Sequence, residues 1–212
     1  MGTVSDADAM DRYQNSIPPI YEHYEGYRLV MGEPPGDVTF LAGGLNNPGV
    51  MLARFPSPDN VSDFRWSEDY RRASLVRKNA GRFSVIGVPG PDREPDPLPG
   101  SRSYLVAMVT PDSPGRWRHF VDALVAGLQS LGATILADSG PETIERLEGL
   151  LPGSHVLVAV MPPGQDAESA WAALEPEFDV LREAAEPVHI MALAGLPDDH
   201  PGRLTRKTVG VS

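Results

Sequence analysis

The chain contains no cysteine, and this absence excludes several kinds of chemistry at once. Without thiols it forms no disulfides, no thiolate zinc sites and no cysteine nucleophile. No stretch approaches the roughly 18 consecutive apolar residues of a membrane-spanning helix, and the segment from Met1 to Asp11 lacks the basic-then-apolar order of a signal peptide. The composition therefore predicts a cytoplasmic protein with no membrane partner.

Basic residues and cofactor motifs are also scarce. The 18 Lys and Arg residues stand against 29 Asp and Glu, which gives a formal net charge of −11 at pH 7. Because such a charge repels phosphate backbones, nucleic acid is not an expected partner. Neither a His-Glu-x-x-His nor a Gly-x-Gly-x-x-Gly motif occurs, so we expect no metal and no cofactor.

One pattern of segments occurs once in each half of the chain. A strand, a proline-containing turn, a helix and a closing strand follow one another over residues 50–90 and again over residues 155–195. The helices of the two copies are expected at residues 62–79 and 167–185. A solenoid needs more than two repeats. Two copies therefore indicate a pair of α+β modules that face each other.

The second half has the clearer elements. Residues 104–109 read as a buried strand, and an apolar stripe at helical spacing follows Ser113-Pro114 and ends at Gly132. Residues 133–137 are strand-like, whereas residues 141–151 are expected to be a short helix or irregular. With the second copy of the pattern, this half reads strand, helix, strand, strand, helix, strand, the order of a ferredoxin-like module.

These segments predict the domain organisation. We expect a first ferredoxin-like module at 1–90, a proline-rich linker at 91–102, a second module at 103–197 and a tail at 198–212. The first module begins with a helix, so its first strand is missing. The β-branched segment 204–211 is a candidate to replace that strand, and the alternative is a disordered tail.

A family resemblance rests on residues of the first half: Tyr13, Gly26-Tyr27-Arg28, Arg54-Phe55-Pro56-Ser57, Phe64, Ser67-Glu68-Asp69-Tyr70 and Arg77. Over Asp6 to Gly90 this pattern resembles a short family of unknown function in the dimeric α+β barrel superfamily, whose members usually carry an acid where this chain has Arg54. The resemblance implies an α+β fold in which two tandem ferredoxin-like modules form an intramolecular barrel with antiparallel sheets. It implies either a monomer with an internal pseudo-dimer or a homodimer.

Candidate site residues concentrate in the first half. The predicted catalytic residues are His23, Glu25, Arg54 and Tyr70. His23 or Glu25 would take a proton, Arg54 would stabilise an enolate oxygen, and Tyr70 or Tyr13 would donate to a leaving hydroxyl. The predicted substrate-binding residues are Tyr13, Arg28, Trp66, Ser67, Arg77 and His189.

Seven of these ten residues also have a structural interpretation. His23 and Glu25 are compatible with an exposed helix end, and Arg54 with the rim of a cavity rather than its interior. Tyr13 and His189 are compatible with core positions. Tyr70 and Arg77 share a helix face and are compatible with packing and ion pairing.

The superfamily that the chain resembles includes cofactor-free monooxygenases, isomerases, haem enzymes and polyketide cyclases, so the fold alone selects no chemistry. A cavity between two sheets would suit a hydrophobic small molecule. The leading hypothesis is a cofactor-independent acid–base enzyme, a cyclase, dehydratase or isomerase that acts on a polyketide-like metabolite in secondary metabolism. The alternatives are a non-catalytic small-molecule-binding barrel and a cofactor-free monooxygenase.

Overall fold

A computed structural model describes residues 1–46, 48–91, 103–110, 116–150, 155–182, 188–197 and 200. The elements follow in the order β1 (Gly2–Val4), α1 (Ala7–Ser16), α2 (Pro18–His23), β2 (Tyr27–Gly32), β3 (Val38–Ala42), β4 (Val50–Arg54), α3 (Pro58–Trp66), α4 (Glu68–Ala80), β5 (Gly81–Phe83), β6 (Val85–Gly87), β7 (Ser103–Val109), α5 (Arg116–Ser130), β8 (Thr134–Ser139), β9 (Glu145–Glu148), β10 (His155–Val160), α6 (Ala167–Arg182) and β11 (Val188–Ala194). The fold is α+β, and all neighbouring strands are antiparallel. No helix in these ranges is long and apolar enough to cross a membrane.

A five-stranded sheet in the order β3-β11-β7-β10-β8 forms the centre of the molecule. Strands β7 and β10 are almost continuous apolar runs because both of their faces are buried. Helices α5 and α6 cover one face, where Phe120, Leu124 and Leu128 pack with Leu105 and Leu157. The second-half strands and helices predicted from apolar periodicity are thus confirmed.

The opposite face of this sheet packs on the first half of the chain. Met108, Val158 and Met191 from the large sheet join Val30 and Val50 from β2 and β4 in one apolar core. Burial of this apolar surface holds the two halves together. Apolar side chains therefore fill the space where the sequence had predicted a ligand cavity.

The first half has a first strand, so the prediction that it lacks one was wrong. Strand β1 pairs antiparallel with β5, and a bridge between Gly2 and Gly49 connects β1 to the segment before β4. At three residues β1 is too short to produce a periodic signal. The proposed replacement strand at 204–211 lies outside the described residues, as does 92–102 of the expected linker.

Each half contributes a strand to the other half. Strand β3 of the first half pairs with β11, and β9 of the second half pairs with β6. The segment containing β9 had been expected to be helical or irregular, which was wrong because the pairing of β9 depends on a strand about 60 residues away in sequence. Local sequence patterns therefore do not predict either of these two strand pairings.

The strands do not close into the expected barrel. Among the described residues they form one five-stranded sheet and three two-stranded sheets, β1-β5, β2-β4 and β6-β9. In these ranges β8 pairs only with β10, and β2 pairs only with β4. The strands of the two halves therefore pair at separate places and do not form one continuous closed sheet. The expected α+β class with antiparallel sheets is confirmed, whereas the closed barrel is not.

The helix predicted at residues 62–79 is two helices in the structure. Helix α3 begins after Ser57, whose side chain accepts a hydrogen bond from the backbone N–H of Asn60, and Pro58 occupies its first turn. Ser67 ends α3 and caps α4, since its Oγ accepts from the N–H of Tyr70 at 3.1 Å. This break separates α4 from α3, and α4 packs mainly against α1.

Candidate functional site

The first half buries a cluster of arginine and tyrosine side chains. Arg28, Arg77, Tyr13, Tyr21 and Tyr70 are each no more than 7% exposed. The Arg77 guanidinium lies 5.4 Å from the centre of the Tyr13 ring, and that of Arg28 lies 5.5 Å from the centre of the Tyr21 ring. Cation–π attraction of this kind is strongest where water is excluded. Aromatic rings from α1 and α2 thus lie beside two buried cations, Arg77 of α4 and Arg28 of β2.

An ion pair ties this cluster to the second half of the chain. Nη2 of Arg77 donates to Oε2 of Glu148, which is held in place by the pairing of β9 with β6. The side chains are 5% and 24% exposed, so the pair is largely shielded from water on the arginine side. Arg77 also lies 5.1 Å from the centre of the Phe83 ring. Glu148 is therefore the charge that offsets buried Arg77.

Burial controls the protonation of two tyrosines in the cluster, Tyr13 and Tyr21. Burial raises the pKa of Tyr13 well above its usual value, with further increases from Tyr70 and Tyr21 and a partial decrease from the two arginines. Burial likewise raises the pKa of Tyr21 to about 12 although Arg28 opposes the shift. Burial opposes the charge of Arg77, but Tyr13, Tyr70 and Glu148 outweigh it and raise its pKa. The two tyrosine hydroxyls therefore stay protonated near neutral pH.

A cleft between helix α4 and strand β9 opens onto this cluster, and we call it the α4–β9 cleft. Its volume is about 290 Å³, and Tyr70 and Glu148 are among its lining residues. Because Tyr70 is only 7% exposed while Trp66 at the same cleft is 68% exposed, Tyr70 lies deep and Trp66 lies at the rim. The cleft thus has an acidic residue and a tyrosine among the residues that line it.

A second cleft lies on the other side of α4, between α4 and helices α1 and α2. It is wider, about 540 Å³, and its lining includes Arg12, His23, Asp69 and Arg72. His23 is exposed there and its ring contacts the Tyr24 ring at 4.7 Å between centres. This cleft has a histidine but shares neither Tyr70 nor Glu148 with the α4–β9 cleft.

Five of the predicted site residues come together in or beside the α4–β9 cleft. Tyr13, Arg28 and Arg77 belong to the buried cluster, while Tyr70 belongs to both the cluster and the cleft. Trp66 lines the rim of the same cleft. Arg28 is 3% exposed, and its Nη1 and Nη2 reach the Met31 sulfur at 3.2 Å and the Gln14 carbonyl at 3.5 Å. The sequence pattern thus located a real spatial group.

The other predicted site residues lie elsewhere. His23 borders the second cleft, and Glu25 is exposed at a turn with φ of 56°. Arg54 ends β4 opposite Tyr27 and is half-buried. Ser67 serves as the helix cap described above. His189 is 8% exposed on β11, and no described residue bonds to its Nδ1.

Sequence reasoning missed two polar features. Glu148 lies in the segment expected to be irregular, and nothing in its neighbourhood signals a partner 71 residues away. His155 and Asp138 form a second pair at 2.7 Å between Nε2 and Oδ1. His155 begins a strand that the sequence predicted, whereas Asp138 lies just beyond the predicted strand-like segment 133–137, in the longer strand β8. In the described ranges no cluster of three or more His, Asp or Glu side chains is spaced for a metal ion.

His155 is a buried base with a defined environment. Its ring centre lies 4.7 Å from that of Trp117, and its Nδ1 has no hydrogen-bond partner among the described residues. Burial lowers the pKa of His155 more than the hydrogen bond and charge of Asp138 raise it, while the more distant Arg118 lowers it and Asp122 raises it. Burial also lowers the pKa of His189. Both rings are therefore neutral at pH 7.

We expect the free energy of unfolding to fall as the pH falls from about 7 to about 5.5. The folded pKa of His155 is below its unfolded value, so the unfolded chain binds more protons in this interval and gains stability relative to the fold. Urea unfolding at several pH values measures the slope. The slope should be shallower in His155→Gln and unchanged in the control His119→Gln, since His119 is exposed. Equal slopes in the wild type and His155→Gln would contradict this.

Comparison with known proteins gives a result for the first half alone. Neither the curated proteins nor the solved structures include a significant match to this chain. The expected resemblance to a family of unknown function is confirmed in that coarse form: residues 1–91 match the family model described as a domain of unknown function, DUF1330.

Proposed function

We propose that this protein is a cofactor-independent, cytoplasmic acid–base enzyme of the cyclase, dehydratase or isomerase type, acting on a hydrophobic polyketide-like metabolite in the α4–β9 cleft. One observation carries the proposal: the carboxylate of Glu148 and the side chain of Tyr70 line the same cleft, with the buried Arg77 bound to that carboxylate. A base and a hydrogen-bond donor beside one substrate site are the minimum for proton transfer next to a carbonyl.

The proposed chemistry uses Glu148 as the base. Its carboxylate removes a proton from the carbon next to a substrate carbonyl, so the C–H bond breaks, an O–H bond forms on Glu148, and the electron pair moves to the carbonyl oxygen. Tyr70 donates a hydrogen bond to that enolate oxygen. If the enolate is conjugated with a C=C bond, return of the proton from Glu148 to the γ-carbon gives isomerisation. If the substrate has a β-hydroxyl, the C–O bond breaks as the enolate collapses, and Glu148 gives its proton to the departing oxygen, so that water leaves and dehydration results. Attack of the enolate carbon on a second carbonyl of the same molecule forms a C–C bond, and Glu148 gives its proton to the resulting alkoxide, which completes cyclisation.

Arg77 acts through Glu148 as a positioning residue. Its Nη2 occupies one carboxylate oxygen and thereby orients the other oxygen, and its charge remains buried throughout the reaction. Tyr13, which lies against the same guanidinium, keeps its proton because burial raises its pKa. We therefore propose Glu148 as the base in place of His23 or Glu25. We propose Tyr70 in place of Arg54 as the residue that stabilises the enolate oxygen.

The architecture proposed for this enzyme is a tandem pair of ferredoxin-like modules in one monomer. The elements β7, α5, β8, β10, α6 and β11, with strand order β11-β7-β10-β8, support this assignment for the second half. The reciprocal pairings of β3 with β11 and of β9 with β6 support an internal pseudo-dimer. Substitutions at Gly43 and Gly149, which follow β3 and β9, test this arrangement.

Deuterium exchange tests the chemistry. In D₂O the α-hydrogens of 2-tetralone or phenylpyruvate should exchange for deuterium faster with the wild-type protein than in buffer alone. Proton NMR measures the exchange rate. Glu148→Gln should lower the exchange rate by about 10² to 10⁴, the usual contribution of a placed base. Glu145→Gln is the matched control, since Glu145 is exposed on the same strand and does not line the cleft.

Three other outcomes would change the assignment. Exchange that is equal in the wild type and Glu148→Gln would remove Glu148 as the base. Wild-type protein that binds both probes without exchanging either would favour the non-catalytic binding protein. Oxygen consumption with a phenolic compound would favour the cofactor-free monooxygenase.

A further inference from the structure

We infer that the α4–β9 cleft binds an amphipathic organic anion, a molecule with an apolar ring or chain and one acidic head group. This inference names the substrate class of the proposed enzyme and rests on the proposed function for its site. It comes from the charges and the exposed apolar side chains around the cleft, none of which the proposed proton transfer uses.

The cleft is lined by cations of α4 that form no ion pair within the described residues. Arg71 and Lys78 lie seven residues apart on α4, which is two turns, and both line the cleft. No carboxylate of the described residues forms an ion pair with either of them. Arg72, the neighbour of Arg71, faces the second cleft and pairs with Glu68 at 2.7 Å. The free cations of α4 are thus on the face of this helix that borders Tyr70 and Glu148.

The cleft also has exposed apolar side chains. Trp66 is 68% exposed and Leu75 is 61% exposed, and both line the cleft. Large apolar side chains that are this exposed and adjacent to each other around a concavity are typical of a binding site. A ring or chain laid against Trp66 and Leu75 would remove this surface from water.

The charges agree with an anionic ligand and not with a cationic one. The chain as a whole carries a net charge of −11, so unpaired cations in one cleft create a local field opposite to that of the whole molecule. Glu148 does not cancel this field because Arg77 already neutralises it. An acidic head at Arg71 and Lys78 would place the apolar part over Trp66 and the reacting carbon toward Tyr70 and Glu148.

A pair of fluorescent probes tests the ligand class without measuring turnover. 1-Anilinonaphthalene-8-sulfonate is an amphipathic anion, and N-phenyl-1-naphthylamine has the same rings without the sulfonate. In the double variant Arg71→Gln/Lys78→Gln, we expect the dissociation constant of the sulfonate probe to rise about tenfold, as for the loss of two partly exposed charge contacts. The dissociation constant of the neutral probe should change by less than about twofold.

Controls separate this site from other surfaces. Arg72→Gln removes one charge from the same helix but from the other cleft, and it should leave the binding of both probes unchanged. Trp66→Ala should weaken the binding of both probes, since it removes apolar contact area. Raising the salt concentration should weaken the binding of the sulfonate probe to the wild type, and it should have much less effect on its binding to the double variant. Circular dichroism checks that each variant is folded.

The possible failures are distinguishable. The inference is overturned if the wild type does not bind the sulfonate probe, if the double variant binds it as the wild type does, or if Arg72→Gln has the same effect as the double variant. If the probes behave as expected but the wild type exchanges no α-hydrogen, the ligand class stands and the proposed enzyme does not. If Glu148-dependent exchange occurs but the double variant binds the sulfonate probe as the wild type does, the proposed enzyme activity is supported and the proposed ligand class is wrong.

Discussion

Replacing Arg77 with methionine should lower the free energy of unfolding by about 3 kcal/mol, the cost expected when one partner of a largely buried ion pair is removed. Arg77 is 4% exposed, binds Glu148, and lies against the rings of Tyr13 and Phe83 at 5.4 and 5.1 Å. Methionine fills similar volume but leaves Glu148 without its cation. Urea unfolding of the two proteins measures the difference.

A second substitution isolates the charge effect from packing. In the double variant Arg77→Met/Glu148→Leu no unpaired charge remains, so about half of the lost stability or more should return. Arg72→Met is the surface control, because Arg72 is 71% exposed in its pair with Glu68, and its effect should stay below about 1 kcal/mol. A loss under about 1 kcal/mol for Arg77→Met would contradict the buried ion pair.

Replacing Gly43 with alanine should lower the free energy of unfolding by about 3 kcal/mol, the sum of backbone strain and steric overlap. Gly43 has a φ of 85°, a conformation that side chains other than hydrogen disfavour. A Cβ there would lie 2.3 Å from Nδ1 of His189 and 2.5 Å from the carbonyl oxygen of Val188. The strand β3 would therefore have to move away from β11.

The neighbouring glycine supplies the control. Gly44→Ala should change the free energy of unfolding by less than about 0.5 kcal/mol, because no atom of the described residues lies within 4 Å of the position that its Cβ would take. Gly149→Ala should behave like Gly43→Ala, since Gly149 has a φ of 66° and its Cβ would lie 2.2 Å from the carbonyl oxygen of Phe83. Equal stability of the Gly43 and Gly44 variants would argue against the strand exchange between the halves.

The second half could be predicted closely from local patterns. Continuous apolar runs became the buried strands β7, β10 and β11, and the stripe that includes Phe120, Leu124 and Leu128 became the buried face of α5. Such patterns are reliable because a strand buried on both faces and a helix buried on one face each require a distinctive spacing of apolar residues. The short, polar β1 and β9 carry no such spacing and were missed.

The candidate site could be predicted only in part. Tyr13, Arg28, Tyr70 and Arg77 were recognised from the pattern of the first half, and they do form one cluster. Their partner Glu148 was not, because it reaches Arg77 only through the pairing of β9 with β6. The expected ligand cavity between the sheets was also wrong in place, since apolar side chains fill that space and the clefts lie beside α4.

The sequence by itself determined that thiol chemistry is unavailable, which apolar segments of the second half are buried, and that Tyr13, Arg28, Tyr70 and Arg77 belong to one pattern in the first half. Only the tertiary structure decided which strands pair between the halves, that Glu148 neutralises Arg77, and that Arg71 and Lys78 line the same cleft with no ion-pair partner in the part of the chain that the structure describes. The physical reason is that periodicity encodes how deeply a residue is buried, whereas the identity of its partner depends on the closure of long loops. Many partners satisfy the same local pattern, and the packing of the whole chain selects one.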